Sequence, residues 1–253
     1  MNSFDFSVLG SLAGTRVLDL GAGGGRHAIV AALAGAEVFC VDLDVGVLAS
    51  VGENAAASEE LAALQPGTLT GRIRLVRADA RFLPFSEATF DVVIASEVFE
   101  HISRDGLAMA EVARVLRSAG VAAISVPRAL PEVINWGLSK AYHSVAGGHV
   151  RIYTQAGLRR RLGYAGLEVF YHHYAHGSHA PYWWLKCAVG VENDAHPWAK
   201  RYEAALVDQI MGKAPRLDWL DARILNPAVG KSLVVYARVV ACPVGEGGPG
   251  HAR

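Results

Sequence analysis

Cysteine is scarce in this chain of 253 residues: Cys40, Cys187 and Cys242 lie far apart and form no CxxC pair. That excludes a disulfide framework and a thiolate zinc site. Cys40 lies inside an apolar run and reads as a small buried hydrophobe. Long apolar runs are also missing; none approaches the roughly 20 residues that cross a bilayer, so no membrane span is expected. The opening Met1-Asn-Ser-Phe-Asp-Phe6 lacks the basic and apolar regions of a signal peptide, so a cytoplasmic protein is expected. There is no excess of either charge, with 24 basic and 24 acidic residues and a formal net charge of +0. No basic field is present for phosphates, which argues against nucleic acid and for a small-molecule acceptor.

What is present is 52% hydrophobic residues, enough for one large α/β domain. We expect a single domain over residues 1–241 and a disordered Gly/Pro-rich tail over 242–253. The organising stretch is Arg16-Val-Leu-Asp-Leu-Gly-Ala-Gly-Gly-Gly-Arg26. It reads as a buried strand, a glycine loop and a helix start. Gly21, Gly23 and Gly25 let the backbone approach a ligand, and the helix start turns free N–H groups toward it. The dinucleotide pattern G-x-G-x-x-G fits at Gly21 and Gly23, but its last position is Arg26. Asp19, two residues before Gly21, would repel a pyrophosphate and suit a ligand with positive charge. A sulfonium is such a ligand, and NAD is the rival. The bland alternative is a βα turn that binds nothing.

Asp19-x-Gly21-x-Gly23-x-Gly25 resembles motif I of the class I methyltransferases that use S-adenosyl-L-methionine. The resemblance runs closely over residues 16–126 and is strongest to the type 11 subgroup. Strands are predicted at Arg16–Leu20, Glu37–Val41, Ile73–Ala78, Phe90–Ala95 and Val121–Val126, alternating with helices. Strand 6 at Leu167–Tyr174 and strand 7 at Ser232–Val240 are predicted to pair antiparallel, as in that family. The fold class is therefore α/β: a doubly wound, mostly parallel, seven-stranded Rossmann-like sheet with an antiparallel strand 7. Asp42 is expected on the ribose hydroxyls with Leu43 beside the adenine, and Asp44 as the cap of the next helix. The resemblance implies that Asp79, followed by Ala80, holds the adenine amino group. It also implies that the segment Ser96-Glu-Val-Phe-Glu-His101 lines the methionine end, with Ser96 on the cofactor. The alternative for the last two residues is a helix-start acid and a surface histidine.

Two insertions, at 128–153 and 177–229, are expected to shape a lid and the acceptor site. Trp136 and Tyr153 in the first, with Tyr182, Trp183 and Trp184 in the second, are the candidate acceptor walls; helix packing is the alternative. Trp198 and Trp219 are expected to pack on the sheet or a partner subunit, and a homodimer is left open. A hydroxyl acceptor needs a proton acceptor, and His143, then His149, are the candidates on the loop after strand 5. His172, His173, His176 and His179 do not make a predicted metal site, since the first two alternate on a strand and no acid is near them in sequence. A divalent cation as an additional cofactor is left open. These features favour O-methylation of a small neutral acceptor, with a carbohydrate first. A fainter resemblance to actinobacterial O-methyltransferases of methylated mannosides points the same way. The alternatives are C-methylation of a quinone-like or lipid acceptor, and a non-catalytic S-adenosylmethionine-binding protein.

Overall fold

A computed structural model describes residues 3–63, 71–140 and 148–240. Seven strands form one sheet: β1 (Arg16–Leu20), β2 (Glu37–Asp42), β3 (Arg72–Arg77), β4 (Phe90–Ser96), β5 (Leu116–Pro127), β6 (Leu167–Ala175) and β7 (Ser232–Val239). Their order is β3-β2-β1-β4-β5-β7-β6. Strands β1 to β5 are mutually parallel, and β7 runs antiparallel to both β5 and β6. This is the expected sheet, with strand 7 reversed.

Alternation along the buried strands sorts side chains to two apolar layers. Leu18, Leu20, Val93, Ala95 and Ile124 face α3 (Asp105–Val115) and α5 (Gln155–Tyr164). Val17, Val38, Cys40, Ile94 and Ala123 face α1 (Arg26–Leu33) and α2 (Val45–Ala63). Each fully buried Leu or Val stabilises by about 1.5–3 kcal/mol relative to an exposed one, so this alternation fixes the register. Helix starts follow local chemistry. The Asp44 carboxylate accepts from Gly46 N at 2.7 Å, and Thr154 Oγ1 accepts from Gly157 N at 3.1 Å.

Two predicted details change. Strand β5 begins at Leu116, because a bulge between the pairs Phe90–Leu116 and Val92–Val121 absorbs the Arg117–Gly120 turn. The stretch after β5 is not all loop: Ala129–Leu138 is a helix, α4. Pro131 hid it in the sequence, yet a proline in the first turn forfeits no intrahelical hydrogen bond.

The second insertion contains α6 (His179–Val189), α7 (Pro197–Ile210), α8 (Pro215–Leu220), a π turn at Asp221–Leu225 and α9 (Asn226–Val229). It leaves from Ala175 and returns at Ser232, residues that pair with each other, while Ser232 also pairs with Pro127. Both ends therefore stand at the carboxyl edge of β5. Buried Ser178 ties the insertion together: Asp221 accepts from its N–H and its hydroxyl, and Gln209 Oε1 accepts from the hydroxyl at 2.9 Å. Trp198 and Trp219 are 66% and 60% exposed, so they do not pack on the sheet. No helix among the described residues is long and apolar enough to cross a membrane.

Candidate functional site

The carboxyl ends of β1, β2 and β4 surround a cavity of about 500 Å³. That volume is within the usual range for a small-molecule site. Six predicted residues line it: Gly21, Gly23, Asp42, Leu43, Asp79 and Ala80. Gly21 and Gly23 have φ of +66° and +53°, the left-handed region that glycine adopts at little cost. At Gly21 the need for glycine is twofold, since a Cβ would lie 2.5 Å from Val98 Cγ2. Asp42 Oδ1 accepts from Asp44 N at 3.0 Å, which leaves Oδ2 for a ligand hydroxyl. The Asp79 carboxylate is held by the Arg81 guanidinium at 2.6 Å, so its pKa lies below the usual carboxylate range. It lines the cavity as a fixed, ionised acceptor.

Three expected cofactor contacts are placed elsewhere. Asp19 does not line the cavity; it is 1% exposed and accepts from Ala28 N at 3.1 Å. It shares its strand face with Val17 and so points at α1. Burial pushes its pKa up to about 7, against the pull of the Ala28 N–H and Arg26. The electrostatic argument that used Asp19 to disfavour a pyrophosphate is therefore corrected: this carboxyl anchors a helix start. Gly25 is also a packing residue, with φ of +78° and a Cβ position 2.9 Å from Val51 Cγ1 of α2. Ser96 lies beside the cavity rather than in its wall. Its hydroxyl is 3.1 Å from that of Ser125 and accepts from Arg26 at 3.3 Å.

Of the segment Ser96–His101, expected along the methionine end, Glu97, Val98 and His101 line the cavity. Glu97 takes φ of +55°, unusual outside glycine, while its N–H donates to Ser125 O at 2.9 Å. Its Oε1 is buried without a hydrogen-bond partner, and burial pushes its pKa up against the pull of Lys231 and Ser232. Glu100 is fully buried, and burial together with the Glu97 charge pushes it well up. Glu132, on α4, is 1% exposed. Burial opposes its ionisation, but the hydrogen bonds of His149 and Trp136 hold its pKa below the usual range. Its Oε1 lies 2.5 Å from His149 Nδ1 and accepts from Trp136 Nε1 at 3.0 Å. The sequence signal for this cluster was an i, i+3 pair of acids just past a buried strand, followed by histidine. Glu132 gave no signal, because its partner is 17 residues away.

The expected acceptor walls divide. Tyr153 is a core anchor: it is 3% exposed, and its hydroxyl donates to Asp105 at 2.6 Å. Arg151 and Arg161 also pair with Asp105, which fastens residues 148–153 to α3 and α5. Trp136 is committed to Glu132. Trp184 donates to Pro131 O at 3.4 Å and so joins α6 to α4. Tyr182 packs against Tyr202, while the ring of Trp183 receives Lys231 Nζ at 5.2 Å. His149 is half-buried beside His101, with ring centroids 5.0 Å apart. His143 lies outside the described residues. The histidines of β6 serve other contacts: His172 bonds Gln155 at 3.0 Å, and His173 stacks on Tyr236 at 5.8 Å. His176 is 2.9 Å from Ser3 Oγ and lies 5.5 Å from the His179 ring.

Known proteins resemble this chain in part of its sequence and in its fold. Residues 18–124 match a family model for a methyltransferase domain. A demethylmenaquinone methyltransferase of Clavibacter sepedonicus is 33% identical over 109 residues, which is 43% of this chain and 40% of that protein. The chain thus spans less than half the length of that curated relative. An S-adenosylmethionine-dependent methyltransferase from Mesorhizobium loti aligns over 92% of this chain and 94% of its own, with TM-score 0.56 and 19% identity. A magnesium protoporphyrin IX methyltransferase from Synechocystis, with SAH bound, covers 92% and 78%, with TM-score 0.56 and 15% identity. The described sheet is the Rossmann-like fold of the class I methyltransferases, and residues 18–124 are the part whose sequence matches a methyltransferase domain.

Proposed function

We propose that this protein binds S-adenosylmethionine and transfers its methyl group to a hydroxyl of a small, neutral acceptor, with a carbohydrate as the favoured class. The observation that carries the reading is the cradle at Gly21. It combines positive φ, a Cβ position closed by Val98, and an acid at the end of the neighbouring strand. A cofactor backbone fits against such a loop, and its ribose can bond Asp42. Glu97 also lines the cavity, and in its ionised form it would favour a positively charged ligand. That restores the preference for a sulfonium over a pyrophosphate, on a different residue from Asp19.

S-adenosylmethionine supplies a methyl group already activated on sulfur. The remaining tasks belong to the chain: holding the acceptor in line and keeping water out. Helices α4 and α6, joined through Trp184 and Pro131, and Trp183 over Lys231 are proposed as the acceptor lid. Trp136, Tyr182 and Tyr153 support that wall from behind. Deprotonation of the hydroxyl is assigned to the loop after β5, through His143 or through His149 held by Glu132. The expected homodimer would cover Trp198 and Trp219, and sedimentation velocity reads it out.

A second reading, C-methylation of a quinone-like acceptor, is favoured by the likeness to a demethylmenaquinone methyltransferase. Calorimetry with S-adenosylmethionine, SAH and NAD tests the cofactor. Incubation with methyl-labelled cofactor and separate carbohydrate, quinol and lipid panels tests the acceptor. Binding of NAD alone would overturn the reading. Labelling of quinol carbon alone would replace O-methylation, and cofactor binding without labelling of any panel would favour a non-catalytic protein.

A further inference from the structure

The buried acids beside the cavity pose a problem that the methyl-transfer reading does not solve. Glu100 is 0% exposed, yet neither of its carboxylate oxygens has a hydrogen-bond partner among the described residues. A buried ionised carboxylate without partners is strongly unfavourable, and proteins meet this by protonating it, by pairing it or by placing it on a metal; protonation alone would still leave both Glu100 oxygens buried without a hydrogen bond. Glu97 and Glu132 act on Glu100 as like charges, with Lys231 as an opposing one. Packing three acids around this point is costly unless further positive charge arrives.

The neighbours of Glu100 are suited to supply a metal. One ligand atom each from Glu100, His101 and His149 lies within 4.8 Å of the others. These are two imidazoles and one carboxylate, the donor set of several zinc, iron and manganese sites that keep open positions. His149 is also held as metal-binding histidines generally are. Its Nδ1 faces the Glu132 carboxylate at 2.5 Å, which leaves Nε2 to offer. Trp136 donates to the same Glu132 oxygen at 3.0 Å and fixes it in turn. The three ligands come from two separate segments. Val150 N donates to Glu100 O at 2.8 Å and locks the segments together.

We propose that Glu100, His101 and His149 bind a first-row divalent cation, such as Mn²⁺, Co²⁺ or Zn²⁺, with Glu132 as the positioning residue for His149. His101 borders the cavity, so an ion here stands beside the place where the acceptor must meet the cofactor. Its chemistry is to bind an acceptor oxygen and make that hydroxyl more acidic. His149 is then a ligand, and the proton passes to His143 or to water. The role of the ion in catalysis rests on the methyl-transfer reading; the existence of the site does not.

The test uses the full chain without an affinity tag, freed of metal by chelator and dialysis. Co²⁺ uptake is followed by its visible absorption, and Mn²⁺ uptake by electron paramagnetic resonance, both without cofactor. One ion per chain is expected. His101→Ala, which alters an exposed side chain, and Glu100→Gln should each abolish saturable uptake, with circular dichroism confirming the fold. Glu132→Gln should weaken it about 10–100-fold. His172→Ala, on β6, should leave it unchanged. The proposal is overturned if the parent chain takes up no Co²⁺ or Mn²⁺ at millimolar concentration, or if uptake survives both His101→Ala and Glu100→Gln. A parallel titration with S-adenosylmethionine separates the two ideas. Intact cofactor binding without metal uptake sinks this inference alone, while metal uptake without cofactor binding sinks the proposed function alone.

Discussion

The two ends of the site are built differently. At the proposed cofactor end the chain uses backbone, with positive φ at Gly21 and Gly23, together with an acid at the end of β2. All of it lies within one βαβ unit, and each part sits a few residues from the strand that positions it. At the proposed acceptor end the chain uses side chains from distant segments. Glu97, Glu100 and His101 follow β4, Glu132 is on α4, His149 is past α4, and Lys231 precedes β7. The first end is strict about glycine at Gly21 and depends on few side chains, Asp42 first. The second is the reverse, and it accumulates buried charge.

Substitutions should therefore separate by region. The largest effect is expected at the acceptor end: His143→Ala should lower kcat about 10²–10⁴-fold and leave the cofactor Kd unchanged. Stopped-time assays with labelled cofactor, beside calorimetry, check this. A comparable loss of cofactor affinity would erase the distinction between the two ends. Next, Gly21→Ala should weaken cofactor binding by more than tenfold. The left-handed backbone costs a residue with a Cβ about 1–2 kcal/mol, and the clash with Val98 adds to that. The double variant Gly21→Ala/Val98→Ala should recover the steric share; no recovery would mean that backbone strain dominates.

Asp42→Ala should cost about 1–3 kcal/mol of cofactor binding, roughly fivefold to 150-fold, by leaving ribose hydroxyls unpaired. An unchanged Kd would remove the ribose from Asp42.

The smallest effects are on stability against pH, and they have opposite signs at two buried groups, Asp19 and His176. Asp19, raised to about 7 by burial, holds a proton in the folded chain that the unfolded chain loses near pH 4. Its effect on stability is favourable below about pH 4 and is lost as pH rises to 7. His176, lowered to about 3 by burial and then by the charges of His179, Arg26 and Lys231, behaves inversely. The unfolded chain binds its proton below about pH 6.5 and the folded chain does not, so stability falls as pH drops through 6.5 toward 3. Urea titrations between pH 4.5 and 7.5 should show Asp19→Asn removing the first slope and His176→Gln the second. Parallel curves for the parent chain and both variants would refute both assignments.

The glycine loop and the cavity residues beside it were legible because their determinants are local. Period-two burial, glycines after a strand and an acid at the next strand end are all statements about near neighbours. Even there the sequence misjudged Asp19 and Gly25. Whether a residue near the loop faces the ligand or a helix depends on strand parity and on Val51 of α2. At the other end the tryptophans drew attention, and they prove to be partly structural: Trp136 and Trp184 spend their N–H groups on Glu132 and Pro131.

By itself the sequence determined the parallel strands and the glycine loop that follows the first of them, while the reversed last strand followed from the family resemblance. Local conformational preference and apolar periodicity suffice for the parallel strands and the loop. Only the tertiary structure decided which acids are buried, that Glu132 holds His149, and that Glu100 and His101 meet His149, which lies 48 residues after His101 in the chain. Burial and pairing depend on every segment that arrives around a side chain, and separation along the chain does not encode that.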